Sequence, residues 1–132
     1  MDAATRRLVR RRAEGRCEYC RLPQAAQPFV TFHLEHIIAK QHGGSDDPDN
    51  LCVACERCNF HKGPNLTSID PVTGKIERLF DPRRQVWAEH FETRGPLISG
   101  KTPSGRATVA VLSMNDERRV ELRASLIALG EF

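Results

Sequence analysis

Apolar and polar positions alternate in short blocks along this chain, and the blocks predict short elements. Residues Thr5 to Glu14 are good helix formers and stop at Gly15, the residue type that ends helices. Leu8 and Val9 are the large apolar residues there, so this helix buries a narrow stripe and leaves its arginines wet. Leu22 to Pro28, with prolines at 23 and 28, reads as a loop. Phe29 to Ile38 alternates or runs apolar and β-branched, which predicts a strand. His33 and Glu35 then share one strand face, with Leu34 and His36 on the other. Gly43-Gly44-Ser45-Asp46-Asp47-Pro48 is a turn or loop by composition, Leu51 to Ala54 is a second short strand, and a short helix opens at Asn59 and ends at Gly63-Pro64.

Beyond that point Thr67 to Phe80 reads as a hairpin around Pro71-Val72-Thr73-Gly74. Trp87 and Phe91 stand at helical spacing in the segment from Pro82 and predict core packing. Thr102 followed by Pro103 predicts an N-cap and first helical residue, opening a helix through Leu112. Asn115 is a further candidate N-cap, for a helix with Val120, Leu122, Leu126, Ile127 and Leu129 behind it and Gly130 as its stop.

Composition narrows the picture. The chain has 132 residues, the size of one domain, and only 39% hydrophobic residues, so its core is small and wants a staple. Expected organisation is a single domain over 1–132: helix and first cysteine pair in 1–28, a central core in 29–63, and hairpin plus helices in 64–132. Twenty Lys+Arg oppose 17 Asp+Glu, a net charge of +3. Arg6, Arg7, Arg10, Arg11, Arg12 and Arg16 crowd the first helix, a candidate footprint for a polyanion as well as an ordinary solvated face. No apolar run approaches bilayer length and no apolar stretch follows the arginines as in a signal peptide, which points to a soluble, cytoplasmic protein.

Five cysteines in such a compartment argue for metal rather than disulfides. Cys17-Glu-Tyr-Cys20 and Cys55-Glu-Arg-Cys58 are two Cys-x-x-Cys knuckles, able to offer four thiolates to one tetrahedral zinc ion and to tie the first helix to the centre of the chain. Cys52, in the apolar run Leu51–Ala54, reads as a small buried hydrophobe.

Between the knuckles lies a density of polar, metal-capable groups that makes poor core material. Phosphodiester hydrolysis needs a base for water, a divalent cation for developing charge and cations for the backbone. Glu35-His36 offers a hard oxygen ligand beside an imidazole, and Asn50 a group to fix that imidazole's tautomer. Asn59 or His61 completes the ligands of magnesium or manganese, with water in the remaining positions. On a helix Asn59 shares a face with Lys62 while His61 lies opposite, which favours Asn59. Lys62 is placed to meet a phosphate as a point charge, with Arg6, Arg10 and Arg12 beside it. His33, His42 and His90 read as structural or surface residues.

Glu-His-Ile-Ile, Gly-Gly, Asn-Leu and Cys-x-x-Cys-Asn-x-x-Lys-Gly, preceded by a Cys-x-x-Cys, resemble the HNH endonucleases of the ββα-metal fold, over residues 17 to 63. The stretch from Gly63 to Phe91 also looks like standalone bacterial members. The resemblance implies that His36 is the general base, that Glu35 stands where the family usually has a metal-binding Asp, that Asn50 orients the base, and that Asn59 is the last metal ligand. It implies DNA rather than RNA as partner. The expected protein is therefore an α+β fold with a small ββα-metal core, a four-Cys zinc staple and flanking helices. Its expected activity is metal-dependent endonuclease cleavage. A non-catalytic, zinc-stabilised nucleic-acid-binding module is the alternative that the cysteines and arginines alone would equally fit.

Overall fold

In the computed structural model, which describes residues 1–132, the first helix runs Ala3–Ala13 (α1). Asp2 caps it by accepting from the Thr5 N–H at 2.7 Å, and Glu14 and Gly15 end it at positive φ. Val9 and Ala13 are its buried residues, whereas Leu8 stays largely in solvent. The stripe is as narrow as the sequence implies.

α1 lies on an antiparallel pair, β1 (His33–His36) and β2 (Leu51–Ala54), in which Glu35 faces Cys52 and His36 faces Leu51. The strand predicted from Phe29 is shorter than expected. Gln24 explains this: its amide donates to the Val30 carbonyl at 2.7 Å and accepts from the Phe32 N–H at 3.0 Å. Backbone groups that a strand would pair are taken by one side chain, and Phe29 is left 99% exposed.

The helix after β2 is α2 (Glu56–Lys62), which opens before Asn59 because Cys55 is itself the N-cap, its Sγ accepting from the Cys58 N–H at 3.5 Å. Next come the expected hairpin, β3 (Thr67–Ile69) and β4 (Ile76–Arg78), and a single turn, α3 (Trp87–His90). Phe91 does not continue that helix. It opens a third hairpin, β5 (Phe91–Arg94) with β6 (Leu97–Gly100), whose turn at Gly95-Pro96 the sequence reading passed over. Thr102 and Pro103 start α4 (Pro103–Val111) as expected. The last helix is α5 (Glu117–Ala128), capped by Asp116 rather than Asn115. Asn115 instead clasps β6, accepting from the Ile98 N–H at 2.9 Å and donating to the Ile98 carbonyl at 2.8 Å.

Each sheet has two strands and none joins another. A lone hairpin is marginal in water, so these depend on what covers them. The cover is one apolar cluster that runs from Val9, Tyr19, Phe32 and Leu51 through Phe80, Phe91 and Ile98 to Leu112, Met114 and Leu126. Phe80 and Trp87 both pack on Phe91 with ring centroids 5.1 Å away. The fold is thus α+β, and its core is shared between the knuckle region and the later elements. No helix is long and apolar enough to cross a membrane.

Candidate active site and metal centre

Cys17 and Cys20 sit where the chain turns after α1, and Cys55 and Cys58 at the start of α2. Their four Sγ atoms lie within 4.8 Å of one another, all buried. In both knuckles the second cysteine's N–H donates to the first cysteine's sulfur at 3.5 Å, which curls the backbone around the pair. Cys20 Sγ and Cys55 Sγ are 3.7 Å apart. A thiolate tetrahedron with roughly 2.3 Å metal–sulfur bonds has edges of nearly that length. Burial pushes the Cys17 and Cys58 thiols up, while hydrogen bonds from neighbouring cysteines hold Cys20 and Cys55 down. Several buried thiolates so close together need a cation. The set fits a metal ion. Cys52 stands apart, buried beside the Tyr19 hydroxyl and the Glu35 carboxylate.

The end of β1 and the outer turn of α2 enclose a cavity of about 260 Å³ whose lining includes Glu35, His36, Lys40 and Asn59. Adjacent strand residues point oppositely, yet Glu35 and His36 both reach this cavity because the strand ends at His36. Glu35 is only 6% exposed. Tyr19 donates its hydroxyl to Oε2 and Lys62 donates its ammonium to Oε1, each at 3.1 Å. Burial raises the Glu35 carboxyl, with Lys62 and Tyr19 pulling against it. With the weak Cys52 thiol contact to Oε2, three acceptor positions of about four are used, so the carboxylate keeps one for a ligand. The Asn59 side chain makes no hydrogen bond within the fold.

The loop between the strands is built to hold His36. Asn50, buried, accepts from the Ile38 N–H at 2.8 Å and donates to the carbonyls of Ile38 at 3.0 Å and Ser45 at 2.9 Å. It therefore acts on the loop backbone and makes no hydrogen bond to the His36 ring, so any hold on the base runs through backbone groups. Gly44 passes so close to the Ile38 carbonyl that a Cβ would stand 1.6 Å from its oxygen. No other residue fits there. The crossing delivers Asp46, whose Oδ1 lies 2.7 Å from His36 Nε2. The His36 hydrogen bond, then the chain's amino group and Lys40, bring the Asp46 carboxyl down to about 2. An ionised carboxylate only accepts, so Nε2 carries the proton and Nδ1 of neutral His36 carries the lone pair. Sequence reading missed Asp46; its one signal was its place in the Gly-Gly loop. A larger cavity of about 380 Å³, lined by His42, Asp47, Asp49 and Arg84, opens beside Asn50 but holds neither His36 nor Asn59.

Other expected contacts are redrawn. Lys62 is 1% exposed, its ammonium donating to Glu35 and to the carbonyls of His36 at 3.3 Å and Ile37 at 3.0 Å. It cannot meet a phosphate; it neutralises Glu35 and ties α2 to β1. Arg12 donates to the carbonyls of Pro48 and Leu51, both at 2.8 Å, and so pins the start of β2 instead of facing a nucleic acid. Arg6 and Arg10 stay exposed, though Arg10 also donates to the Phe32 carbonyl at 3.1 Å. His61 is absent from the cavity lining, its ring edge-on to Phe60 and its Nε2 buried without a partner. Of the two candidate ligands on α2, Asn59 is the one on the cavity.

The second sphere of the metal centre comes from far along the chain. Arg119 of α5 donates to Cys58 Sγ at 2.9 Å, with Cys55 Sγ at 3.9 Å. Burial works against its charge, but the sulfurs of Cys58, Cys20 and Cys55 outweigh it and hold the guanidinium firmly protonated.

No curated protein and no solved structure matches this chain. Residues 17–65 match the family model described as HNH endonuclease, a span that begins at the first knuckle and ends just past α2. That span holds both knuckles, the paired strands, Asn50 and α2, so it is the centre of the chain that is similar to the HNH endonucleases.

Proposed function

We propose that this protein is a metal-dependent endonuclease that hydrolyses phosphodiester bonds of DNA. The observation that carries the reading is the meeting of His36, its Nε2 already held, with Glu35 and Asn59 on one cavity. His36 Nδ1 takes the proton from the attacking water. Asp46 keeps the ring in that tautomer and stabilises the imidazolium that forms. Asn50 and Gly44 set the loop that carries Asp46.

Glu35 and Asn59 are the protein ligands for a divalent ion, magnesium or manganese. One carboxylate and one amide make a sparse set, which suits magnesium because it keeps several waters. Held by Glu35 and Asn59, such an ion would supply positive charge where negative charge builds on the phosphate. Lys40, on the cavity rim with its side chain 67% exposed, takes the phosphate role expected of Lys62. The exposed Arg6, Arg7, Arg10 and Arg11 of α1 extend the cationic surface, and contacts of that kind are sequence-blind and salt-sensitive. Cys17, Cys20, Cys55 and Cys58 would hold zinc, which four thiolates suit in a structural role.

The test is cleavage of supercoiled plasmid DNA and of RNA by wild type and His36→Ala, with and without magnesium or manganese, both proteins checked for zinc. Metal-dependent cutting of DNA by wild type alone is the expected result. DNA binding without cutting by either protein would leave a non-catalytic binding module, and equal cutting by both would remove His36 from the mechanism.

A further inference from the structure

Arg119 is 8% exposed and its guanidinium has no carboxylate partner. Nη1 donates to the carbonyls of Leu112 at 2.6 Å and Ser113 at 3.2 Å, neutral groups that end α4. Nη2 points at the sulfurs, 2.9 Å from Cys58 Sγ. A buried guanidinium without an anion is strongly unfavourable. Here the anionic groups within hydrogen-bonding reach of the guanidinium are the cysteine sulfurs. The reverse also holds: four thiolates around a divalent ion leave a net charge of minus two in a buried place, and a cation beside them offsets part of it.

The apolar attachment of the rest of α5 is small: Leu126 is its one fully buried apolar side chain, Leu122 packs half-buried against the core, and Ile127 is 42% exposed. Its other buried contact is a second arginine, Arg123, which donates to the carbonyls of Pro96 at 2.7 Å and Met114 at 2.5 Å. The start of α5 is tied to the second knuckle twice. Asp116, its N-cap, accepts from Arg57 of α2 at 3.1 Å, and Arg119 reaches Cys58 in the same α2. A helix with so short an apolar contact depends for its docking on those polar groups keeping their partners as well.

We propose that Arg119 is the buried counter-charge of the four-cysteine metal centre, so that metal retention and the docking of helix 117–128 are one coupled equilibrium. The sulfurs that hold the metal are the ones that accept from Arg119, so the cluster's geometry sets the docking of the guanidinium. Arg119 in turn shields the thiolates from water and competing ligands. Coupling of this kind is reciprocal: whatever weakens one side weakens the other by the same factor. It involves residues outside the HNH match and does not rest on the nuclease reading.

The test uses zinc-loaded full chain, as wild type, Arg119→Ala, Arg119→Lys and the exposed-neighbour control Arg118→Ala. Zinc transfer to a chromogenic chelator and hydrogen exchange of residues 117–128 are followed in parallel. Loss of an outer-sphere partner weakens metal binding about 10- to 100-fold. Arg119→Ala is expected to release zinc about tenfold faster or more, with 117–128 losing protection in the same protein, Arg119→Lys in between and Arg118→Ala at the wild-type rate. Should Arg119→Ala not fold, Asp116→Ala, which removes both the N-cap acceptor of α5 and the partner of Arg57 without touching a sulfur, is expected to speed zinc release as well. Zinc release at the wild-type rate from Arg119→Ala, or from Asp116→Ala where Arg119→Ala does not fold, would overturn the proposal. So would faster release with 117–128 still fully protected.

Discussion

His36 and Asp46 are ten positions apart in sequence and 2.7 Å apart in space, joined ring nitrogen to carboxylate at the mouth of the cavity. Their pairing assigns the free nitrogen of the base. For plasmid cleavage, His36→Ala is expected to lower kcat about 10²-fold or more, the usual share of a positioned base. Asp46→Ala is expected to lower kcat by less with KM little changed, and Asp46→Asn to leave most of that loss in place, since a neutral amide cannot offset the imidazolium and can donate to Nε2, which favours the wrong tautomer. A rise in KM alone would show Asp46 to be a substrate contact instead.

Lys62 separates a stability role from a binding role. Lys62→Ala leaves Glu35 buried without its cation, an arrangement that costs about 3–5 kcal/mol. Urea unfolding followed by circular dichroism should show a loss of that order. DNA affinity of the folded fraction should keep its dependence on salt. A stable variant with a shallower salt slope would return Lys62 to the phosphate.

Lys40 should behave in the opposite way. Its Lys40→Ala variant is expected to unfold at the wild-type urea midpoint and to bind DNA more weakly, with the slope of log affinity against log salt reduced by about 1. Fluorescence titrations across a salt series would check this.

Asn50 satisfies three backbone groups of the strand-connecting loop with one amide. Asn50→Ala leaves buried polar groups unmade, at about 1–3 kcal/mol each where water does not replace the bond. Calorimetry should show a lowered Tm. Activity should fall further than the folded fraction, because the loop also carries Asp46.

Asp70 and Arg106 give the fold an acid limit. Arg106 donates to both Asp70 oxygens, at 3.0 and 2.7 Å, and this pairing brings the Asp70 carboxyl down to about 2. A folded value below the unfolded one stabilises the protein at pH above the unfolded value. That contribution fades as pH falls through the range from about 4 towards 2. Asp70→Asn should have a lower Tm than wild type at neutral pH, and the gap should close across that range. A constant gap would mean the pair does not titrate with folding.

How much of this was legible in the sequence depends on where each interaction's partners lie. The knuckles, Glu35-His36, Asn50 and Asn59 could be placed because each is carried by a short local pattern. Thr102-Pro103 was readable for the same reason, the cap lying beside the helix it starts. The errors come from residues whose partner is remote. Lys62 has the composition of a phosphate ligand, and only tertiary structure turns it onto Glu35. Arg12 looks like its neighbours on α1, yet helical phase aims it at the start of β2. Gln24, an ordinary loop residue, cancels a strand that Phe29–Phe32 otherwise spells out. Phe91 is four residues from Trp87, a helical interval, but Gly95-Pro96 turns the chain into a hairpin that competes and wins.

The two residues between the first pair of cysteines have a further consequence. Glu18 accepts from the Val53 N–H at 2.8 Å and from Arg83, and the Tyr19 carbonyl accepts from the Trp87 indole at 2.7 Å. Later parts of the chain thus plug into the knuckle's interior, as Arg119 does into its sulfurs. A segment excised at residue 65 would keep every recognisable motif and lose the donors that its buried acceptors require. Transplanting this centre into another protein would mean carrying Arg83, Trp87 and Arg119 with it, because the unit that can be moved is larger than the unit that can be recognised.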